Sequence, residues 1–299
     1  MMPPFATHHE QEAPPLTGNL KARTGRMLAP LLLFGAAFLF GIYLFAPMPA
    51  IEQRLIEEVR SNSPLTLSIG SSRLTPWMNL HLGDLSLAGT PWPQPPLYID
   101  ELTISPDWLS LISTDPTVSW EGQLLGGSIA GNTNSSGLWQ GKANALELDL
   151  AVWPEAGIKI KAQLLSASAS SALPLAETTI SDFELSLDRV HLFGPLVPDD
   201  TGQGLNLGRI AMKITGRGPS LVVEELKASE GVLKLTGQGS LLLASELSRS
   251  RLNLNLELTP TPDAPPELAS LLELFAQRQG DGRFRLKLTG AMNRLALRP

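Results

Sequence analysis

The sequence has no cysteine among its 299 residues, and it is also poor in charge and in histidine. Without cysteine, the chain forms no disulfide, no thiolate metal site and no cysteine nucleophile. Charged residues make up 17% of the chain, whereas a typical globular chain has about a quarter. The net charge of −6 is spread evenly, which excludes the concentrated basic face that nucleic-acid binding requires.

Residues suited to catalysis are also few. Of the four histidines, His8 and His9 lie near the N-terminus, while His81 and His191 lack the spacing of metal ligands. No serine stands in a Gly-x-Ser-x-Gly elbow, and there is no glycine-rich phosphate loop. The adjacent acids Glu224 and Glu225 are expected to point to opposite faces of a strand. We therefore expect no catalytic, cofactor-binding or metal-binding residues, and no enzyme.

One long segment, residues 27–46, contains no charged residue. As a helix, these residues would span about 30 Å, the thickness of the hydrocarbon core of a bilayer. The alternatives are a buried core helix and a cleaved signal peptide, but the apolar run and the 26 residues before it are longer than in such peptides. We expect a retained transmembrane helix. Its anchoring side chains are Leu31, Leu32, Leu33, Phe34, Phe38, Leu39, Phe40 and Ile42.

The distribution of basic residues predicts the orientation of this helix. Lys21, Arg23 and Arg26 lie just before it, and Arg54 and Arg60 follow it among acidic residues. The excess of basic residues favours a cytoplasmic N-terminus. Residues 1–26 are then a cytoplasmic tail, which its prolines and low apolar content predict to be disordered. Residues 47–63 are expected to form a juxtamembrane helix, with helical turns over 51–59 that end at Pro64.

From residue 64 onward, the apolar residues recur with a period of two rather than 3.6. A period of two with one polar face is typical of antiparallel sheets. There is no strand–helix–strand rhythm, so a parallel α/β fold is not expected. The alternating segments are residues 65–69, 80–82, 85–87, 97–99, 146–150, 158–160, 183–187 and 252–258.

Two short helices are expected to interrupt the strands. Ser105, Pro106 and Asp107 form a helix-start signal, after which Trp108, Leu109 and Ile112 would share a face. Residues 265–266, both proline, open a clearer helix that Gly280 would terminate. Its apolar stripe would either bind a groove of a partner or cover the end of the sheet. The stripe consists of Leu268, Leu271, Leu272 and Phe275.

Glycine-bracketed segments recur along the chain. Residues 208–216 and 282–290 match almost position by position, residues 231–237 are a shorter version, and residues 122–131 a looser one. Each predicts a strand with glycines at its ends, in a meander of similar hairpins. Larger loops are expected at residues 166–172 and 195–204. A sub-boundary of the β domain is placed near 165–180.

Several of these segments, in this order, resemble the type II secretion system protein N (GspN) family. The resemblance rests on residues 45–47 (FAP), 80–87 (LHLGDLSL), 97–104 (LYIDELTI), 256–260 (LELTP), 268–272 (LASLL) and 280–290 (GDGRFRLKLTG). It implies a component of the type II secretion system, anchored in the inner membrane of a Gram-negative-type bacterium. Residues 64–299 would then form the periplasmic domain, with other secretion subunits as partners.

Residues 97–131 are also similar to the AsmA-like group of membrane-anchored β proteins. That resemblance implies an elongated, curved sheet with an apolar groove, and phospholipid as a ligand. Two functions therefore stay open, a secretion component that acts through protein–protein contacts and a lipid-binding module. In both, the candidate interaction or lipid face consists of Leu252, Leu254, Leu256, Leu258, Leu268, Leu271, Leu272 and Phe275.

Overall fold

A computed structural model describes most of the chain. The described residues are 34, 37, 40–41, 43–63, 65–89, 96–153, 157–172, 177–195, 197, 202–244, 249–292 and 294–298. Contacts within the chain divide it into two compact units, Met1–Ala46 and Pro47–Pro299.

The first unit contains the expected anchor, of which only a few residues are described. Phe34 and Phe40 are helical, and their side chains are exposed. The expected tail, residues 1–26, lies outside the described residues, as do the anchor residues Leu31, Leu32, Leu33, Phe38, Leu39 and Ile42. Within the described part of the chain, we find no helix that is both long and apolar enough to cross a membrane.

The second unit begins with helix α1 (Met48–Asn62). This helix lies within the segment 47–63 expected to be helical, and it extends beyond the turns expected at residues 51–59. Pro49 is accommodated in its first turn, where backbone N–H groups have no helical acceptor. The helix ends at Ser63, whose N–H and hydroxyl both donate to the carbonyl of Val59, at 2.9 and 2.7 Å.

All the described strands belong to one antiparallel sheet, which confirms a mainly β fold with few helices. Nearly every strand pairs with the next one along the chain; the exceptions are β1, which pairs with β3 rather than β2, and β13, which pairs with β15 rather than β14. The strands are β1 (Leu65–Ser68), β2 (Ser71–Leu74), β3 (Leu80–Gly89), β4 (Leu97–Pro106), β5 (Thr117–Leu124), β6 (Gly127–Asn134), β7 (Leu138–Trp153), β8 (Ile158–Ala172), β9 (Ile180–Phe193), β10 (Leu205–Arg217), β11 (Ser220–Ser229), β12 (Leu233–Leu242), β13 (Arg251–Pro260), β14 (Gln277–Arg278), β15 (Phe284–Ala291) and β16 (Arg294–Arg298).

The loop expected at residues 166–172 is instead part of strand β8. Its serines and alanines are small but still pair with β7 and β9 residue by residue. Near the end of β8, the hydroxyls of Ser171 and Ser181 are buried and hydrogen-bonded at 2.7 Å. The strand therefore runs through the first part of the range 165–180, where the sequence suggested a sub-boundary, and residues 173–176 lie outside the described part.

The segment 122–131 was expected to be one strand, and this is wrong. It contains the end of β5, a turn and the start of β6. Leu125 and Gly126 form the turn with φ of 49° and 76°. Positive φ at both central residues is typical of the type I′ turn, whose twist matches that of the flanking strands.

The two internal helices also differ from expectation. Strand β4 continues to Pro106, so the helix expected after Ser105 is reduced to a 3₁₀ turn at Ser110–Ile112. Helix α2 (Pro266–Phe275) begins where the prolines predict. It ends before Gly280, however, because Ala276 takes an extended conformation and the chain enters β14.

Candidate interaction surface

Strand β13 shows how the sheet acquires two different faces. Leu254, Leu256 and Leu258 are buried on one face. On the same face, the register places Leu254 opposite Leu288, and Leu258 opposite Phe284. The residues between the leucines are asparagine and glutamate, which point to the other side. The predicted alternation of β13 is therefore confirmed.

The same apolar side continues across the sheet, and we call it the leucine face. It carries three clusters of buried hydrophobic residues. The first cluster lies on β3–β8, and its buried members are Leu82, Leu85, Ile99, Leu124, Leu146 and Leu164. The second lies on β10, β12, β13, β15 and α2, with Leu205, Leu233, Leu258, Leu268, Ala276 and Phe284, and the third lies on β11 and β13, with Val223, Leu254 and Leu256.

Two helices contribute side chains to the leucine face. Leu268 of α2 is buried in the cluster that contains Leu258 and Phe284, and Leu272 packs against the same cluster. Leu55 of α1 packs against the first cluster. No other described helical residue joins that first cluster, although it extends from β1 to β9. The apolar side chains of its central strands are therefore left partly exposed.

The predicted interaction residues fall into different environments. Leu254, Leu256, Leu258 and Leu268 are buried, and Leu252, Leu271 and Leu272 are half-buried. Phe275 is 44% exposed. The structure thus brings Leu258, Leu268 and Leu272 together and leaves Phe275, at the end of the stripe, open to solvent. Of the predicted anchor residues, only Phe34 and Phe40 are described.

The opposite face of the sheet is covered by ion pairs between strands. Lys213 lies between Glu184 and Glu224, with N–O distances of 3.7 Å to each. Similar pairs join Arg285 to Glu257 at 3.0 Å and Lys161 to Asp149 at 3.5 Å. These groups are largely exposed, so each pair contributes about 1 kcal/mol or less to stability. Their main effect is to keep this side of the sheet in water.

Glu224 and Glu225 do not point to opposite faces, as the sequence suggested. The pairing between β10 and β11 shifts at Lys213 and Ile214, next to these glutamates. Because of this bulge, Val223 and Leu226 both lie on the leucine face, and both glutamates are exposed. A bulge adds one residue to one strand and so breaks the strict alternation.

The leucine face also has an aromatic region that sequence reasoning missed. The Trp120 ring lies over Gly131, where an added Cβ would come within 2.4 Å of it, and close to Gly141 on the next strand. Trp139 and Phe183 pack with ring centroids 6.4 Å apart. The strand register places Trp120 opposite Gly131, and Gly131 opposite Gly141. The packing of Trp120 over these glycines follows from this register and is not visible in the sequence.

Among the described residues, the titratable groups do not converge on a site. His81 Nδ1 lies 2.9 Å from the Thr103 hydroxyl and 3.5 Å from Glu101. His191 Nδ1 is buried and has no hydrogen-bond partner within the described structure. A search of the described residues gives no group of three histidines or acids that could hold a metal ion. The arrangement is suited to contact with apolar groups or with another strand.

Comparison with known proteins adds no relative. No family model matches the chain, and neither the curated proteins nor the solved structures contain a match. The resemblances to the secretion N proteins and to the AsmA-like group therefore depend on the residues that carry them.

Proposed function

We propose that this chain is a non-catalytic component of a type II secretion system, anchored in the inner membrane with its β domain in the periplasm. It would act in protein secretion by binding other subunits. The observation that carries the proposal is that the most specific part of the resemblance folds as one unit. Residues 256–260, 268–272 and 280–290 contribute to β13, α2 and β15, and Leu258, Leu268 and Phe284, one from each range, are buried in a single cluster.

The C-terminal edge of the sheet is a suitable binding site for a partner. Strand β16 pairs with β15 on one side, and no other described strand pairs with it. An open edge binds an extended segment through main-chain hydrogen bonds. At the other edge, helix α1 contacts β1 and β2. We therefore assign the partner strand to β16.

Photo-crosslinking in cells tests this assignment. A photoreactive amino acid replaces Ala296, which is exposed on β16, in the full chain. The matched control carries the same residue at Gln140, which is exposed on the central strand β7. Secretion subunits should be captured from position 296 and not from position 140. If neither position captures a secretion subunit, the proposed function is wrong.

The leucine face supports a second candidate, an AsmA-like module that holds acyl chains. Its specific support is the row of half-buried apolar side chains on β4–β9, which include Leu148, Leu185 and Leu187. Exposed apolar surface of this kind is common in lipid-binding sites and is limited in size on ordinary soluble proteins.

Native mass spectrometry of the full chain, extracted in mild detergent, distinguishes this candidate. Bound phospholipid should be present in the wild type and lost in a Leu187→Gln variant. The control is Leu165→Gln, because Leu165 is already 40% exposed. If the wild type carries no phospholipid, the lipid-holding candidate is excluded, and the secretion proposal is unaffected.

A further inference from the structure

Exposed apolar side chains are concentrated at one end of the strands. In a meander, alternate turns lie at the same end, so the β2–β3, β4–β5 and β6–β7 turns are neighbours. We call this end the Trp77 end; helix α2 and Leu274 lie at the opposite end, where β13 finishes and β15 begins.

Five side chains on the first two of these turns form what we call the apolar tip. Trp77 lies on the β2–β3 turn and is 75% exposed; on the β4–β5 turn, Leu109 is 80% and Ile112 88% exposed. Trp108 and Leu111, also on the β4–β5 turn, complete the tip and are exposed as well. Side chains this exposed project beyond their neighbours, so the tip is a protrusion and not the wall of a groove.

Several backbone N–H groups of the tip are hydrogen-bonded within their own turn. The N–H groups of Leu109, Ser110 and Leu111 all donate to Asp107, at 3.0 to 3.2 Å. On the β2–β3 turn, the N–H of Asn79 donates to the Thr75 hydroxyl at 3.1 Å. Unpaired N–H groups are costly in hydrocarbon. The tip can therefore leave water without exposing these donors.

The β6–β7 turn holds the tip in place. The Asp115 carboxylate accepts hydrogen bonds from the Asn134 amide at 2.5 Å, the Ser135 hydroxyl at 2.8 Å and the Ser136 N–H at 3.1 Å. Leu138, which follows this turn, is 53% exposed. The β4–β5 turn is thus fixed to its neighbour, and little additional conformational freedom is lost when the tip binds.

We propose that the apolar tip inserts into the surface of a zwitterionic lipid bilayer. Leucine and isoleucine at the apex, with tryptophans beside them, match the composition of segments that enter the membrane interface. Residues 75–79 and 107–116 contain two aspartates and no lysine or arginine, which favours zwitterionic over anionic headgroups. This contact is distinct from the β16 edge and from the leucine face, and it does not depend on the proposed function.

Because the chain has no cysteine, a single introduced cysteine is the only site that a thiol-reactive fluorophore labels. Single variants Leu109→Cys and Ile112→Cys of the full chain carry an environment-sensitive fluorophore. Leu274→Cys is the matched control, since Leu274 is 74% exposed at the opposite end. Each labelled chain is placed in phosphatidylcholine nanodiscs, before and after addition of phosphatidylcholine vesicles. Emission is recorded with a quencher dissolved in the lipid and, separately, with iodide in the water.

Labels at 109 and 112 should gain about twofold or more in emission and be quenched from the lipid, while the label at 274 stays in water. Insertion into the nanodisc or into an added vesicle supports the proposal equally. Labels at 109 and 112 that stay in water overturn it. Shielding from iodide without quenching from the lipid also overturns it, since the tip then contacts protein or a second copy of the chain. Equal insertion of all three labels overturns it as well.

A second variant measures the contribution of the side chains. The double substitution Leu109→Ser and Ile112→Ser removes two apolar side chains that make no core contact, so the fold is retained. Binding of the nanodisc-held chain to phosphatidylcholine vesicles should weaken by about tenfold or more. Added salt or phosphatidylglycerol should not strengthen binding by the wild type. If the wild type binds the added vesicles and the double variant binds them equally well, insertion of the tip is contradicted.

Discussion

Replacement of Leu258 by alanine measures how tightly helix α2 is packed on the sheet. Leu258 is 4% exposed and shares a cluster with Leu268 and Phe284. The substitution removes three carbon-sized groups, at about 0.8 kcal/mol each. A residual cavity of about 50 Å³ adds about 1 kcal/mol. The free energy of unfolding should therefore fall by about 3 to 4 kcal/mol.

Urea unfolding of the full chain in mild detergent, followed by circular dichroism, measures this loss. For a domain of this size it corresponds to a decrease in Tm of roughly 6 to 16 °C. The control is Leu274→Ala, because Leu274 lies in the same helix and is 74% exposed; its effect should stay within about 0.5 kcal/mol. If the two variants unfold at the same urea concentration, α2 is not packed against β13 and β15, and the reasoning is refuted.

Three further substitutions test other parts of the sheet. Gly131→Ala should destabilise the fold by about 1–3 kcal/mol in urea unfolding, since its Cβ would collide with the carbonyl oxygen of Gln140 and with the Trp120 ring; Gly280→Ala, with nothing within 4 Å, should be neutral, and equal effects would contradict these close contacts. Asp115→Ala should speed hydrogen exchange in the β6–β7 turn by about tenfold, since each lost hydrogen bond contributes about 1 kcal/mol or more; unchanged exchange would show that the carboxylate does not hold the turn. Lys213→Ala should change stability by about 1 kcal/mol or less, because its ion pairs are exposed, and a larger loss in urea unfolding would contradict that estimate.

The parts of the fold that the sequence predicts well are those with regular alternation. In β13, leucine and polar residues alternate without interruption, so the strand and its buried face follow from the sequence. The 166–172 segment of β8 has small residues on both faces, and no apolar period marks it as a strand. The helix-start signal around Pro106 is local, whereas β4 is extended by its pairing with β5, a long-range contact.

The candidate sites, too, follow from the sequence only where they depend on a local pattern and not on long-range contacts. The sequence selects Leu258 and Leu268 because both belong to apolar stripes, but it does not reveal that they pack against each other. Leu109 and Ile112 are of the same residue types as the core, and only the structure shows that they are exposed. Similarly, the bulge at Glu224 and Glu225 depends on the register with β10, which one strand alone does not specify.

Because most consecutive strands are also neighbours in the sheet, most contacts between strands join a strand to the one before or after it along the chain. Such a chain behaves like a linear array, in which each hairpin is stabilised mainly by the hairpin before and after it. Local pairing of this kind shortens the loops that must close and so accelerates folding. Folding can therefore advance from β1 toward β16, strand after strand. An added or deleted hairpin would lengthen or shorten the array and leave the order of the remaining pairs unchanged.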